Sequence, residues 1–221
     1  MHIFSELSQI VFPTRCYGCN ALGVSICTSC RREWIPHYYR TRIDALNVHS
    51  AMLYTPTASK IILAAKENGL QGADDLLITA IIHVLNKARL EGGYFTLVPI
   101  PSSKSAIRRR GESFLHPILD KLVELQKQKN GVRWRWKDHL IHQKSVRDQS
   151  ELSYSARQNN MAGAFKVRSD ELIEARPILL IDDVVTTGAT LDSAVRALRE
   201  RNLTVLGAAT VCASAHRLLI R

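Results

Sequence analysis

The chain alternates between short runs of consecutive apolar residues and longer stretches in which apolar residues return every three or four positions. Runs of the first kind read as strands buried on both faces, those of the second as amphipathic helices packed against them. Their alternation predicts an α/β domain with a parallel sheet and helices on both faces. Ile178 to Ile181 is the clearest buried strand, and Tyr94 to Ile100 and Leu203 to Val211 read as two more. Ile43 to Tyr54 alternates loosely, as a strand or a hairpin would. Pro56 to Gly69 has Ile61, Ile62 and Ala65 at helical spacing and ends on a glycine suited to a C-cap. Asp74 to Glu91 carries the longest stripe, from Leu76 and Leu77 to Ala88, closed by Gly92 and Gly93. Glu112 to Lys129 is a further helix and another runs on from Leu191. Met1 to Phe12 has helical spacing too, stopped by Pro13, while Ser145 to Phe165 is polar and reads as loop with a short helix.

Val132 to Lys137 alternates strictly, so a strand there sets Trp134 and Trp136 on one face and Arg133, Arg135 and Lys137 on the other. Two uses fit that pattern: buried indoles with solvated cations, or a surface on which bases stack while cations meet phosphates. Composition narrows the choice little. The 221 residues suffice for one α/β domain with a small appendage, and the net charge of +10 favours polyanionic partners without naming one. No apolar run approaches the roughly 18 residues of a membrane span, and Glu6 interrupts the first twelve residues where a secretory signal would lie. A cytoplasmic protein without membrane insertion is expected.

Cysteine spacing adds a second unit. Cys16 and Cys19 form one Cys-x2-Cys pair and, seven residues on, Cys27 and Cys30 form another. Two such pairs so close together suit four thiolates around one Zn²⁺, each pair supplying two ligands from a tight turn. Two disulfides or a redox-active pair are the alternatives; a reducing cytoplasm disfavours the first, and redox pairs usually occur singly at a helix start. Four thiolates leave no open coordination position, so the ion is expected to hold the fold and not to catalyse. The expected division is residues 1–41 for an N-terminal helix and zinc module, and 42–221 for the α/β domain. Cys212, at the end of a strand pattern, reads as a buried apolar residue.

The densest chemistry lies after Ile181. Asp182 and Asp183 follow the apolar strand directly and should emerge near its carboxyl end, where open α/β sheets bind ligands. Thr186, Thr187, Gly188, Ala189 and Thr190 then form a small, hydroxyl-rich turn into a helix, a setting in which backbone N–H groups can cradle a phosphate. Carboxylates would repel a bare phosphate, so the pair suits the hydroxyls of a phosphorylated sugar, or a metal held with them. If the strand Tyr94 to Ile100 lies beside Ile178 to Ile181, the loop after it brings Lys104 and the run Arg108 to Arg110 toward the same crevice. The alternative is a solvated basic loop.

Ile178 to Leu191 resembles the phosphoribosyl pyrophosphate motif of the type I phosphoribosyltransferases. That resemblance implies that Asp182 and Asp183 hold the ribose hydroxyls, that Thr186 to Thr190 wrap the 5′-phosphate, and that Mg²⁺ accompanies the substrate. Thr186 stands where purine-salvage members carry a third carboxylate that serves as a base. The whole chain is similar to the ComF family: four cysteines, Lys66 ending a helix, Val98 to Pro101 at a strand end, Arg110-Gly111, Gln149, Leu152, Arg157, Asn160 and Phe165, then the closing motif. Where that family often has Phe-Asn-Gln after Arg-Gly, this chain has Glu112-Ser113-Phe114. The resemblance implies a phosphoribosyltransferase-like protein linked to DNA uptake in natural competence, with single-stranded DNA and uptake-machinery proteins as partners. It leaves open a glycosyltransferase with an unidentified acceptor, or a non-catalytic DNA- and partner-binding protein whose sugar site is regulatory or vestigial.

Overall fold

The computed structural model describes residues 14–68, 71–88, 93–130, 134–143, 164–168 and 176–215. The expected helix of Met1 to Phe12, and Arg133, Gln149, Leu152, Arg157 and Asn160, lie outside the described residues. Among the described residues the strands are β1 (Tyr39–Ile43), β2 (Leu46–Leu53), β3 (Phe95–Pro99), β4 (Trp134–Trp136), β5 (Leu140–His142), β6 (Phe165–Val167), β7 (Ile178–Val185) and β8 (Val205–Ala213). The helices are α1 (Thr28–Glu33), α2 (Pro56–Asn68), α3 (Gln71–Lys87), α4 (Lys104–Arg110), α5 (Leu115–Asn130) and α6 (Ala189–Arg199).

Six strands form one sheet in the order β1-β2-β8-β7-β3-β4. All neighbours in it run parallel except β1, which returns antiparallel to β2 through a two-residue turn at Asp44 and Ala45. Asp44 takes the left-handed conformation (φ 48°) that tight hairpins require. A separate two-stranded pair, β5 with β6, is antiparallel.

The central strands explain why the sheet must be covered twice. Along β7 and β3 the side chains alternate between two cores: Leu179, Ile181, Phe95 and Leu97 face α2, α3 and α5, whereas Ile178, Leu180 and Val98 face α6 and the β5–β6 pair. Ile178 to Ile181 in β7 and Leu97 to Pro99 in β3 therefore read as apolar runs, as expected for a two-sided parallel sheet. The mixed α/β fold expected from the sequence is the one observed.

Four local differences from the expected elements stand out. β7 continues to Val185 and so carries both aspartates within the strand; the residues after Ile181 stay paired with β8, Asp182 against Thr210 and Val184 against Cys212. The basic stretch after Ser103 is a short helix, α4, because the Ser103 hydroxyl caps it by accepting from the Ala106 N–H at 3.2 Å and Gly111 ends it at φ 88°. The following helix, α5, starts at Leu115, not Glu112. β1 straddles the expected boundary at residue 42, and Tyr17, Ile26 and Trp34 from the cysteine-bearing segment pack on the same core as α2 and α3.

Trp134 is buried and stacked on Phe95, with ring centroids 5.9 Å apart. Trp136 lies on the same face and donates to Asp120 at 2.8 Å. Trp134 is thus a buried indole, while Trp136 is only half-buried.

One carboxylate in the packing of α3 predicts a pH dependence. Burial, then the neighbouring Asp75 charge, raise Asp74 to about 6, against the opposing pull of Lys121, which pairs with Asp75. The fold thus binds this proton more tightly than the unfolded chain does. Its contribution is fully present below the usual carboxylate range and is lost as pH rises through about 6. Asp74→Asn should gain about 1 kcal/mol at pH 7.5, discounted for partial exposure, and nothing at pH 4. Urea unfolding at the two pH values checks this; parallel stability profiles for variant and wild type would refute it.

Candidate functional site

Two groups of side chains converge on chemistry, one at the carboxyl edge of the sheet and one in the cysteine-bearing segment. At the sheet edge, parallel pairing of β3 with β7 sets Val98 beside Leu180 and Pro99 beside Ile181, and the Ile100 N–H donates to the Ile181 carbonyl at 2.9 Å. The loop after β3 and the end of β7 therefore share one rim. A cleft of about 340 Å³ opens there, with Asp182 and Asp183 on one side, Pro101 and Ser102 on another, and Lys66, Arg109 and Arg110 across from the carboxylates.

Successive positions on a strand point to opposite faces, which gives the two aspartates different surroundings. Asp183 turns toward α2, where Lys66 meets it at 2.7 Å. Asp182 accepts from the Asp183 N–H at 2.9 Å, and burial, then the adjacent Asp183 charge, push its carboxyl well above the usual range. Crowded carboxylates of this kind are relieved by hydroxyl donors or by a cation.

Beyond the aspartates, the turn from β7 to α6 departs from ordinary capping. Gly188 is the N-cap residue, left-handed at φ 85°, and has no side chain with which to cap the helix; the Ala189 N–H donates to Thr187 Oγ1 at a long 3.4 Å. A residue with a Cβ would be strained at that φ. Thr186 and Thr187 are exposed and Thr190 is half-buried in the first turn of the helix. The arrangement presents N–H groups and hydroxyls outward, as an anion at a helix start requires.

Of the basic residues singled out in the sequence, Arg110 reaches the cleft and Lys104 does not. Arg110 donates to the Lys66 carbonyl at 2.9 Å, closing the end of α2, and lies over the Phe114 ring at 5.6 Å. Arg109 pairs with Glu67 at 2.9 Å. Lys104 sits at the opposite end of α4, about 9 Å along its axis, and lines a different cavity of about 660 Å³ with Ile107, His116 and Lys166. Pro101 and Ser102 line both cavities. Lys66 is the cleft residue that sequence reasoning left out of the sugar site. Its position as the last-turn cation of α2 was visible, but its pairing across 117 positions with Asp183 was not.

The second group is the four cysteines. Their Sγ atoms all lie within 4.8 Å of one another, with Cys19 and Cys27 3.6 Å apart. A disulfide needs about 2 Å, and all four are free thiols. Thiolates about 2.3 Å from a Zn²⁺ stand roughly 3.8 Å apart in a tetrahedron, so the donor set fits such an ion. Burial raises the Cys16 thiol, but N–H groups of Cys27, Cys19 and Gly18 aimed at its sulfur outweigh this and leave it at about 6. Cys30, pushed up by burial and by the neighbouring thiols, needs a cation to ionise. Gly18 is obligatory for space: a Cβ there would fall 2.6 Å from Cys30 Sγ and 2.9 Å from Thr57 Cγ2 on α2.

A family model described as "Phosphoribosyl transferase domain" matches residues 106–219. No curated protein matches the chain. Among solved structures, an adenine phosphoribosyltransferase is 12% identical, with 86% of this chain and 91% of that one covered at a TM-score of 0.44. The adenine phosphoribosyltransferase of Saccharomyces cerevisiae, complexed with an imino-altritol bisphosphate and adenine, is 14% identical over 85% and 90% of the two chains, at a TM-score of 0.43. A hypoxanthine phosphoribosyltransferase of Staphylococcus aureus is 17% identical over 72% and 66%, at 0.33. Among the described residues, no helix is long and apolar enough to cross a membrane.

Proposed function

Since the chain belongs to the phosphoribosyl transferase domain family, its match covering just over half of the sequence, we propose that the cleft binds phosphoribosyl pyrophosphate together with Mg²⁺. The observation that carries this reading is the sequence of groups along one rim: two carboxylates on β7, then the exposed Thr186 and Thr187 and a helix start whose N-cap residue is the left-handed Gly188. Asp182 and Asp183 accept hydrogen bonds from the ribose hydroxyls. The backbone and hydroxyls of Thr186 to Thr190 receive the 5′-phosphate, and Arg110 and Lys66 face the pyrophosphate. Carboxylates and phosphate oxygens are hard donors that suit Mg²⁺, which when bound offsets charge on the pyrophosphate.

In a transfer at this site the bond from C1 to pyrophosphate breaks as positive charge grows on the ribose. The chain's contribution is positioning of the diol and cationic stabilisation of the leaving group. Lys66 is well placed for both tasks, since it neutralises Asp183 in the free protein and can turn to pyrophosphate once a ribose hydroxyl replaces it. The four cysteines hold Zn²⁺, which supplies cross-linking and no chemistry at the sugar. The wider role proposed is that of a ComF-like cytoplasmic protein of DNA uptake. The non-catalytic alternative rests on the net charge, the stretch Arg133 to Lys137, the cysteine module and the neutral Thr186, of which only that stretch is weakened, because the buried Trp134 offers no face to a base.

Calorimetry with phosphoribosyl pyrophosphate and Mg²⁺ tests the reading. Asp182→Asn with Asp183→Asn should weaken binding on the order of 100-fold, as expected for two lost charge-assisted hydrogen bonds, with the fold intact by circular dichroism. Equal affinity of wild type and double variant would remove its basis.

A further inference from the structure

The larger cavity beside the cleft has a composition that points to its own ligand. We propose that it is the acceptor subsite and that it takes an aromatic N-heterocycle carrying an anionic group. The inference rests on the transferase reading above, which leaves the acceptor open. Its volume of about 660 Å³ suits a one- or two-ring molecule. Position supports the role: Pro101 and Ser102 form a wall common to both cavities, and His142 Nε2 lies 3.2 Å from the Pro101 carbonyl, tying the β5–β6 pair to that wall.

Charge gives the ligand class. Among the described residues, Lys104, Lys166 and Arg168 line the space with one carboxylate, Asp138. Asp138 is already engaged, 3.5 Å from Arg168 and 3.4 Å from His116. Lys104 and Lys166 have no ion pair among the described residues. In the sugar-phosphate cleft, by contrast, Lys66, Arg109 and Arg110 all have partners. The remaining walls combine Ile107, Leu140 and Ile141 with His116, held against Trp136 at 4.8 Å, and His142, held against Phe165 at 5.1 Å, and with the uncharged polar Ser102, Ser113 and Gln143. Flat apolar walls with two spare ammonium groups match a flat ring bearing a carboxylate or a phosphate. Lys104 and Lys166 are exposed and need no counter-charge in water, but both are available to an anion seated in the cavity.

The nucleophile follows from what ends β7. After Asp183 the strand offers Val184, Val185 and then the neutral Thr186. Of the groups lining the cavity that could take a proton, Asp138 is held by Arg168 and His116, and His142 is turned to the Pro101 carbonyl, so a nucleophile that needs no proton acceptor suits the site. A pyridine-type nitrogen needs none. Its lone pair forms the bond to C1 while the C1–O bond breaks and that electron pair leaves on pyrophosphate, giving a pyridinium product without proton transfer.

The test uses the full-length protein and small probes that differ in charge: pyridine-3-carboxylate, pyridine-3-carboxamide and phenyl phosphate, titrated by calorimetry. Each anion class is expected to bind about tenfold or more tighter than the amide, the range of one charge-assisted hydrogen bond. That preference should collapse in Lys104→Gln with Lys166→Gln, whose binding of phosphoribosyl pyrophosphate with Mg²⁺ stays unchanged. Preference for the carboxylate over the phosphate, or the reverse, assigns the anionic group, and either supports the proposal. Equal binding of acid and amide, or an acid preference that survives the double variant, overturns it while leaving the sugar site standing. Acid binding in a preparation that does not bind phosphoribosyl pyrophosphate overturns the transferase reading and the acceptor role together.

Discussion

Cys30→Ser should abolish stoichiometric zinc in the purified protein and lower its melting temperature by about 10 °C or more, from a loss of about 5 kcal/mol in a chain of this size. The reason is in the packing as much as in the ligand count. Cys30 is buried, its helix α1 leads directly into the buried Trp34, and Tyr17 and Ile26 from the same segment rest on the main core. Without the ion, three thiols and the turns that present them must be held by too few apolar contacts to order them. Metal analysis and thermal unfolding check the prediction, and stripping the wild type with a strong chelator should reproduce the shift. A wild type that purifies without metal and melts like the variant would remove the ion from the account.

Trp134→Ala should cost about 3–5 kcal/mol, the range for deleting a large aromatic side chain from a packed core. Trp134 is 2% exposed, stacks on Phe95 and lies on the last strand of the sheet, where only β3 pairs with it. Trp134→Phe should recover most of that loss. A loss of single-stranded DNA affinity with unchanged stability would overturn the core assignment and restore a base-stacking role. Urea unfolding beside a salt-dependent DNA titration separates the outcomes.

How far the sequence could be read depended on whether the signal was local. The apolar run at Ile178 and the two cysteine pairs are local, and both led to the right element: a central strand bearing the aspartates and a cluster of four thiols. The extension of β7 to Val185 was not legible, because two carboxylates inside a strand contradict its apolar pattern. They are tolerated only because β8 pairs alongside and Lys66 answers Asp183. α4 was missed for a related reason: seven residues are too few to show a period, and its cap became evident only in the Ser103 geometry. Lys104 and Arg110 looked like one basic group in sequence, yet a helix between them sends one to each cavity. The β5–β6 pair consists of three-residue strands separated by more than twenty positions, and no local pattern announces such a partnership.

The seating of Gly18 against Thr57 has a mechanical consequence. Thr57 lies in the first turn of α2 and Lys66 in its last, nine positions or roughly 13 Å apart along a single rod. One end of that rod abuts the thiol cluster and the other grips Asp183. A helix is stiff along its axis, so the placing of Lys66 at Asp183 and the seating of Thr57 at the thiol cluster share one rigid element. The cysteine cluster and the cleft at Asp183, which share no residue, thereby stand at the two ends of one helix.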